Sequence, residues 1–441
     1  MCALPLPSGV QPHKRSAPRI VIISASVGAG HDGAADELAR RLQADGFLVD
    51  RHDFLDLLPF GLGRLLSGGY HRLLTWAPTG YQRIYVATER TGRPGLLVRS
   101  LFRSAERRTL RAITPDTCAV VSTYPGAGQV LGAMRSRGRL GVPAITYLTD
   151  FSVHSLWVAP GMDVHLAVHA IPAGQAHAQG AAGVTVTGPV AAARFTPATV
   201  GERRAARVRF ALPERSPLAL LVAGSWGVGP VEQVAAEIQE SGAAVPVVVC
   251  GRNQALAERL RKAGVEHVYG WVDDMPALMS AADVLVQNAG GLTSLEAFAS
   301  GLPVASYRCI PGHGQTNAAA LQEAGLATWI QQPASLKPVL DELLHGPLGH
   351  QQRARGLVLF RADHGPAQAV AAVARTVPCR GGAVSPGGRR PARRFRLGVP
   401  VATAAVAATV LLGVGAPIAE AYGDSPAHLG ALTRFLDGHE R

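Results

Sequence analysis

A histidine follows two glycines where an apolar run passes into a helical pattern. Residues 24–33 read SASVGAGHDG, and the apolar run 20–23 precedes them. Gly28 and Gly30 carry no side chains, so a ligand or another backbone segment can approach closely. His31 falls in the first turn of the predicted helix, whose positive end favours a neutral imidazole. A neutral imidazole can accept a proton, so we predict a general base here; a structural histidine at a helix start is the alternative.

A second set of residues, far along the chain, has the composition of a nucleotide site. The predicted strand 218–223 leads into a loop with Ser225, Gly227 and Gly229. Such loops offer backbone N–H groups to phosphate oxygens. The loop lacks the Lys-Ser/Thr pair of a P-loop. We therefore predict diphosphate binding by backbone groups alone.

A diglycine and a glutamate follow a later predicted strand. Gly290 and Gly291 come after the strand 283–287, and a helix opens near Thr293. Glu296 lies one turn inside this helix, where a carboxylate can accept two hydrogen bonds from ribose hydroxyls, as in dinucleotide sites. A helix-start carboxylate favoured by the helix dipole is the alternative. Phosphates and a ribose together imply a nucleotide ligand.

The elements that must position these residues alternate in type along the chain. Alternating strands and helices predict parallel sheets covered by helices, so we expect an α/β fold with two doubly wound domains. The predicted strands are 19–24, 47–50, 118–122, 142–148, 164–168 and 183–187 in the first domain, and 218–223, 245–250, 266–269, 283–287 and 303–306 in the second. Gly46 is expected to end the first helix.

The domain boundaries follow from changes in composition. We expect a flexible N-terminus (1–17), a first doubly wound domain (18–192), a linker (193–217), a second doubly wound domain (218–378), a basic linker (379–396), an apolar helix (397–419) and a tail (420–441). The apolar segment has 23 residues without a charge. A helix of that length reaches about 34 Å, enough to span a bilayer. A helix lying in the interface or buried in protein is the alternative.

The net charge of +12 is concentrated in two regions. Residues 61–112 contain ten arginines and two glutamates, and residues 380–396 contain six arginines and no acid. Leucine and aromatic side chains between residues 65 and 85 interleave with the arginines, which is typical of an anionic membrane surface; a solvated basic face is the alternative. Neither region has a nucleic-acid-binding motif, so we expect no nucleic acid partner.

In combination these motifs resemble a known family. SASVGAGHDGAA, LTDFSVHSLWV (148–158), the segment WVDDM (271–275), the diglycine helix with Glu296, and YRCIPGHGQTNA (307–318) resemble UDP-sugar glycosyltransferases of the GT-B fold. That family includes monogalactosyldiacylglycerol synthase, the processive diacylglycerol glucosyltransferases and the transferase that makes peptidoglycan lipid II. The resemblance implies two Rossmann-like domains facing across a cleft, with the acceptor bound by the N-terminal domain (18–192) and the nucleotide-sugar by the C-terminal domain (218–378).

The resemblance also implies roles for matching residues. His31 would be the catalytic base and Asp150 would orient it or contact the acceptor, with a turn or cap residue as the alternative for Asp150. The donor site would comprise Gly30, Ser225, Gly290, Gly291 and Thr293 around the diphosphate, Glu296 at the ribose, Asp274 and Met275 at the uracil, and His313 and Asn317 at the sugar. The chain has His313-Gly314 where the diacylglycerol enzymes usually have Gln-Glu, which leaves the sugar open.

The expected activity is inverting transfer of a hexose from a UDP-sugar to a membrane lipid, and the expected lipid is diacylglycerol. The enzyme would lie on the cytoplasmic side of the cell membrane. No DxD triplet occurs in the chain, so we expect no metal and no cofactor besides the donor substrate; helix dipoles and a glycine loop can stabilise the leaving diphosphate. The alternatives are a polyprenyl-linked or soluble acceptor, or a UDP-sugar epimerase of the same fold.

Overall fold

The computed structural model describes residues 17–91, 96–361 and 365–376, which form two α/β domains. The N-terminal domain contains β1 (Arg19–Ser24), α1 (Ala29–Ala44), β2 (Leu48–Asp53), α2 (Phe54–Leu57), α3 (Leu62–Trp76), α4 (Pro78–Thr91), α5 (Leu96–Ala112), β3 (Thr117–Ser122), α6 (Pro125–Ser136), β4 (Ala144–Tyr147), β5 (Val164–Ala167), α7 (Ala170–Ala178) and β6 (Val184–Val186). Both domains are built on parallel sheets, as the alternation of apolar runs and helical patterns predicts.

The C-terminal domain repeats this design. It contains α8 (Val200–Arg209), β7 (Leu218–Val222), α9 (Val231–Ser241), β8 (Val245–Val249), α10 (Gln254–Lys262), β9 (His267–Tyr269), α11 (Met275–Ala281), β10 (Val284–Gln287), α12 (Leu292–Ala299), β11 (Val304–Tyr307), α13 (His313–Glu323), β12 (Thr328–Ile330), α14 (Leu336–His345) and α15 (Pro347–Val358). A last helix, α16 (Pro366–Thr376), follows.

The first sheet has the order β2-β1-β3-β4-β5-β6. Residues Ile20, Val21 and Ile22 of β1 are fully buried because helices cover both faces of a parallel sheet. Helix α1 ends as predicted at Gly46, whose φ is 87°. The N–H groups of Gly46 and Phe47 donate to the carbonyls of Gln43 and Leu42, which is a Schellman motif. Because β1 pairs with β3, the start of α1, which follows β1, lies beside the end of β3.

The second sheet has the order β12-β11-β10-β7-β8-β9. Counted within the domain this is the order 3-2-1-4-5-6 of a dinucleotide-binding sheet read from the other edge. The order in which strands are added reverses between β7 and β10: the chain builds towards one edge of the sheet from β7 and towards the other edge from β10. These two parallel strands are neighbours, with Leu221 paired to Val286. Ligands bind at such reversal points, outside the carboxyl ends of the strands. The two glycine-containing loops of the predicted nucleotide site follow these two strands.

The segment between the domains is more ordered than its expected role as a linker implies. Helix α8 occupies its middle, and a capping box between Thr199 and Glu202 begins the helix. Buried Arg207 donates from Nη2 to Oδ2 of Asp283 at 2.7 Å. The sequence Thr-Val-Gly-Glu at 199–202 is the capping signal that indicates this helix.

The end of the described chain returns to the first domain. Helix α16 packs against α1 and β3, although its residues fall in the range 218–378 that was expected for the second domain. The guanidinium of Arg375 lies 5.3 Å from the ring centroid of Phe47. The expected N-terminal segment up to residue 16, the basic linker, the apolar helix 397–419 and the tail lie outside the described residues. Among the helices that are described, none is long and apolar enough to cross a bilayer.

Candidate active site

A cleft of about 850 Å³ separates the two domains and is lined by both. Its walls are the segments that follow β1, β3 and β4 in the first domain and β7, β9 and β10 in the second. Both predicted sites, the histidine motif and the glycine-loop site, therefore open into one cavity. Its volume is in the range of pockets that hold drug-sized or cofactor-sized ligands, about 300–1,000 Å³.

His31 is held by two contacts at one ring nitrogen. Its Nδ1 lies 2.9 Å from the carbonyl oxygen of Thr123 and 3.0 Å from Oγ1 of Thr149. A carbonyl oxygen only accepts hydrogen bonds, so the neutral ring carries its proton on Nδ1 and keeps a lone pair on Nε2. The rings of Tyr124 and Trp157 flank the imidazole at centroid distances of 5.4 and 6.0 Å. This arrangement is suited to proton acceptance at Nε2.

Asp150 lies in the same cleft without bonding to the histidine. Its Oδ2 accepts a hydrogen bond from Nε1 of Trp157 at 3.2 Å. Within the described residues no hydrogen bond joins Asp150 to His31. Asp150 fixes the indole ring that flanks His31, so its influence on the imidazole passes through Trp157.

The glycines of the histidine motif allow the two domains to touch. A Cβ at Gly33 would lie 2.5 Å from Cδ2 of Leu292, the first residue of α12. A Cβ at Gly30 would lie 3.7 Å from Cβ of the same leucine, and at Gly28 it would meet nothing within 4 Å. Gly33 thus makes room for the other domain, whereas the space at Gly28 remains open. The contact brings the start of α1 close to the start of α12.

The predicted diphosphate loop is shaped by glycines in the left-handed region. Gly224, Gly227 and Gly229 have φ values of 68°, 62° and 104°. A Cβ at Gly251, after β8, would lie 2.4 Å from the carbonyl oxygen of Gly224. Ser225 lines the cleft. Trp226 and Val228 of the same loop line the cleft as well, so the loop offers backbone groups, a serine and apolar side chains to the cavity.

The carboxyl group of Glu296 is largely shielded from water. It lines the cleft with Gly291 and Thr293 of the same helix start. Burial raises the pKa of Glu296 to about 7, and the charge of Arg194 opposes this shift. In the described part of the chain no group donates a hydrogen bond to its carboxylate. Its oxygens are thus available to ligand hydroxyls.

Two other predicted donor residues, Gly290 and Asn317, pack against each other and do not line the cavity. Gly290 has a φ of 76°, and a Cβ there would lie 2.8 Å from Cβ of Asn317. The fully buried Asn317 accepts hydrogen bonds at Oδ1 from N–H and Oγ of Ser152, at 2.8 and 3.0 Å. Its Nδ2 donates to the carbonyl of Ala289 at 3.0 Å. Asn317 therefore joins the acceptor-side loop to the segment after β10.

The two residues predicted at the uracil, Asp274 and Met275, have different surroundings at the start of α11. Met275 lines the cleft, but Asp274 is not among the lining residues. Asp274 caps α11 by accepting from the N–H of Ala277 at 3.3 Å. Its other oxygen pairs with Arg209, whose hydrogen bond lowers the pKa of Asp274. Asp274 thus serves the local fold, and its neighbour Asp273 reaches the cleft.

An aromatic ring accompanies Asp273 at this end of the cavity. Nε1 of Trp271 donates to Oδ1 of Asp273 at 3.0 Å, and the ring is half exposed. The guanidinium of Arg252 lies 4.6 Å from the ring centroid. All three residues line the cleft. A ring supported in this way offers a surface on which a planar base can stack.

His313 lies where the second domain meets helix α4 of the first. It lines the cleft, and its Nδ1 is 2.8 Å from the hydroxyl of Tyr81. Burial lowers the pKa of His313, so the ring is neutral near pH 7. Tyr81 and Tyr85, which the sequence assigned to a membrane surface, both face this cleft. Leu66 of the same region is buried as well.

Several cleft residues were not found from the sequence. Thr123 and Thr149 hold His31, and exposed Arg194 lies in the connection between the domains. Thr123 follows the predicted strand 118–122 directly, so its position at a strand end was visible. Its pairing with His31 depends on β1 and β3 being neighbours, which no local pattern indicates.

No group of three or more His, Cys, Asp or Glu side chains suited to a metal ion occurs among the described residues. Transfer without a metal or cofactor remains a prediction. The charges available to a leaving diphosphate in the described cleft include Arg194 and Arg252.

Comparison with known proteins shows what the two domains resemble. Residues 31–190 match the profile described as monogalactosyldiacylglycerol (MGDG) synthase, and residues 229–344 match the profile described as glycosyl transferases group 1. The two matches fall on the two domains that face each other across the cleft. The chain is thus similar to MGDG synthase over its first domain and to the group 1 glycosyl transferases over its second, and it is a glycosyltransferase.

Relatives of this glycosyltransferase include processive diacylglycerol beta-glucosyltransferases. That of Bacillus cereus (strain ATCC 14579) is 23% identical over 366 residues, which cover 74% of this chain and 86% of the relative. That of Bacillus mycoides (strain KBAB4) is 24% identical over 368 residues, with the same coverage of each chain.

Solved structures share the fold of this glycosyltransferase. TcCGT1 in complex with UDP is 15% identical with a TM-score of 0.53, covering 82% of this chain and 99% of its own. Sucrose-phosphate synthase from Thermosynechococcus elongatus is 14% identical with a TM-score of 0.51, covering 82% of this chain and 97% of its own. These likenesses support the GT-B-like arrangement of two parallel sheets.

Proposed function

We propose that this glycosyltransferase moves a hexose from a UDP-sugar to diacylglycerol at a membrane surface, with inversion and without a metal ion. The observation that carries the proposal is the cleft itself. His31, with Nε2 free, and Glu296, with no hydrogen-bond donor in the described structure, belong to different domains and line one cavity. A base for the acceptor and a site for the donor are thus available to one reaction.

The donor would bind mainly to the second domain. The loop with Ser225 and the start of α12 would bind the diphosphate through backbone N–H groups, where the helix dipole favours negative charge. Glu296 would accept hydrogen bonds from the ribose hydroxyls, and Trp271 would stack on the uracil. UDP as the carrier is supported by the fold shared with TcCGT1, which was solved with UDP.

The reaction is a single displacement at the anomeric carbon. The acceptor hydroxyl oxygen forms a bond to that carbon while the bond to the diphosphate oxygen breaks, and UDP leaves with the electron pair. The acceptor proton passes to Nε2 of His31, and the Nδ1 proton bonded to Thr123 stabilises the imidazolium. Backbone N–H groups at the start of α12 would stabilise the charge on the leaving diphosphate. Attack from the face opposite to UDP inverts the configuration.

The acceptor and its location rest on the first domain. Diacylglycerol is named as the substrate of the Bacillus relatives. Phe60 and Leu65, 94% and 56% exposed, precede or begin helix α3, on which Arg64 and Arg72 are also exposed. These four residues, here called the α3 face, suit an anionic lipid surface. The segment 397–419 would add a membrane-spanning helix, with the arginines before it on the cytoplasmic side.

The transfer assay tests the proposal directly. Purified full-length protein is incubated with radiolabelled UDP-glucose or UDP-galactose and vesicles containing diacylglycerol, and the lipid extract is chromatographed. We expect His31→Ala to lower kcat about 10²- to 10⁴-fold, because a general base contributes that much. The Kd of UDP should change less than about twofold. His177→Ala, which alters an exposed histidine on α7 of the same domain, is the matched control.

Two results would contradict this function. Label that stays in the aqueous phase with wild-type protein would exclude a lipid acceptor, and conversion of the UDP-sugar to its epimer would indicate the other reaction class. Normal turnover of the His31→Ala variant would show that His31 is not the catalytic base.

A further inference from the structure

Helix α4 of the first domain contacts the segment that begins helix α13 of the second. The hydroxyl of Tyr81 lies 2.8 Å from Nδ1 of His313, and the two rings meet edge to face at 6.0 Å. The N–H of Gly312 donates to Oε1 of Gln82. A Cβ at Gly312, whose φ is 71°, would lie 2.8 Å from the Tyr81 ring. The segment is therefore packed directly on α4.

His313 is the polar side chain of this segment that is available to a ligand. Residues 310–314 are Ile, Pro, Gly, His and Gly. A Cβ at Gly314 would lie 2.6 Å from the carbonyl oxygen of Asn288, so no larger side chain fits there. Nδ1 of His313 is occupied by Tyr81, and its Nε2 has no hydrogen-bond partner within the described residues. One hydrogen-bonding group, with a direction set by Tyr81, is thus left at Nε2.

The position of His313 indicates which part of the donor it meets. His313 contacts Tyr81 of the first domain and lines the same cleft as His31 and Asp150, so it lies on the acceptor side of the cleft. The anomeric carbon must approach His31 for proton transfer to occur. The nucleotide would extend away towards Glu296 and Trp271. The donor group nearest to His313 is therefore the hexose.

We propose that Tyr81 is a positioning residue for the donor sugar: it holds His313 across the domain interface so that Nε2 binds a hexose hydroxyl. The inference rests on the proposed function and deepens it, because it assigns sugar recognition to a pair of residues from both domains. Donor selection would then require the closed arrangement of the domains, since the hydrogen bond between Tyr81 and His313 crosses the interface.

The test separates sugar recognition from nucleotide binding. For Tyr81→Phe we expect KM for the UDP-hexose to rise about three- to tenfold, the usual effect of losing one hydrogen bond. The Kd of UDP, which has no sugar, should change less than about twofold by calorimetry. His313→Ala should raise KM at least as much, and the double variant should resemble His313→Ala alone, because Tyr81 acts through His313. The ratio of kcat/KM between UDP-glucose and UDP-galactose should fall towards one.

Thr316→Val provides the matched control. Oγ1 of Thr316 contacts the hydroxyls of Tyr85 and Ser152 at 3.1 and 2.8 Å, so this variant removes hydrogen bonds across the same interface. It also removes the bond from Oγ1 to the backbone carbonyl of His313 at 3.2 Å, but it leaves the imidazole and its bond to Tyr81 in place. We expect its donor selectivity to equal that of the wild type. A Thr316→Val variant with the same loss of selectivity would show that domain closure in general is responsible.

The outcomes distinguish the two proposals. If wild-type protein transfers hexose to lipid but Tyr81→Phe has a normal KM and selectivity, the positioning role is wrong and the function stands. If Tyr81→Phe weakens UDP and UDP-hexose equally, the pair serves the nucleotide and the inference is overturned. If wild-type protein binds UDP without transferring a sugar, the proposed function itself fails.

Discussion

Glu296 is a buried carboxylic acid to which no described group of the protein donates a hydrogen bond. Its burial raises its pKa to about 7 because the ionised form has lost water and gained no donor. In the unfolded chain Glu296 has the ordinary glutamate pKa of 4.5. Ionisation of Glu296 therefore lowers the free energy of unfolding as the pH rises from about 4.5 to about 7. Such a loss of stability is typical of a group that binds a ligand and does not stabilise the fold.

Nucleoside binding should therefore depend on pH. Ribose hydroxyls donate to the ionised carboxylate, so we expect the Kd of uridine to increase about tenfold between pH 8 and pH 6, as the ionised fraction falls with a pKa of about 7. Uridine is used because it lacks the phosphates of UDP, which titrate in this range. Calorimetry at several pH values measures the effect.

Glu296→Gln is the control for this prediction. The amide cannot ionise, so its weaker binding of uridine should be independent of pH. At pH 8 the variant should also unfold at a higher temperature than the wild type, because the buried charge is gone. An identical pH dependence in both proteins would show that another group titrates.

At the scale of elements, the start of α13 is confined by its neighbours. A Cβ at Gly314 would lie 2.6 Å from both the carbonyl oxygen of Asn288 and Cγ1 of Ile310. The backbone oxygen cannot move without disturbing the segment after β10. Position 314 therefore has no room for a side chain in this backbone.

Gly314→Ala should destabilise the second domain by about 1–3 kcal/mol, the usual cost of overpacking. Differential scanning calorimetry of the full chain would detect this as a lower melting temperature. Gly201→Ala, in the first turn of α8 where a Cβ meets nothing within 4 Å, should be neutral or slightly stabilising. Equal melting temperatures for both variants would contradict the confinement.

The sequence predicted most of these elements and missed a few. All eleven predicted strands are present. Those in the middle of each sheet, such as β1 and β3, are buried on both faces and therefore have continuous apolar runs, whereas the edge strands β2 and β6 are partly exposed. The edge strand β12 (Thr328–Ile330) was missed. Helix α8 was assigned to a linker because its exposed residues, such as Val200 and Arg204, give it no clear apolar stripe.

For the whole molecule, the α3 face should act as the lipid contact. Phe60→Asp with Leu65→Asp should raise the apparent KM for diacylglycerol in anionic vesicles about 100-fold or more, because burying two large apolar side chains contributes about 1.5–3 kcal/mol each. The apparent KM for the UDP-hexose should not change. Transfer rates at increasing mole fractions of diacylglycerol measure both effects.

Val200→Asp with Val208→Asp is the matched control, since both valines are highly exposed on α8 in the second domain. An equal effect of the two double variants would mean that any added negative charge weakens binding. Extraction of membranes with alkaline carbonate tests the segment 397–419 separately, because only a spanning helix should keep the protein in the pellet.

The sequence alone determined the two doubly wound domains, the histidine motif and the glycine-loop site, because these features depend on residues that are close in the chain. The tertiary structure decided how they act together. Thr123 fixes the proton of His31 from 92 residues away, and Tyr81 engages His313 from 232 residues away. Such pairs depend on strand order and on the contact between domains. A single sequence carries no local pattern for either, because many packings satisfy the same periodicity.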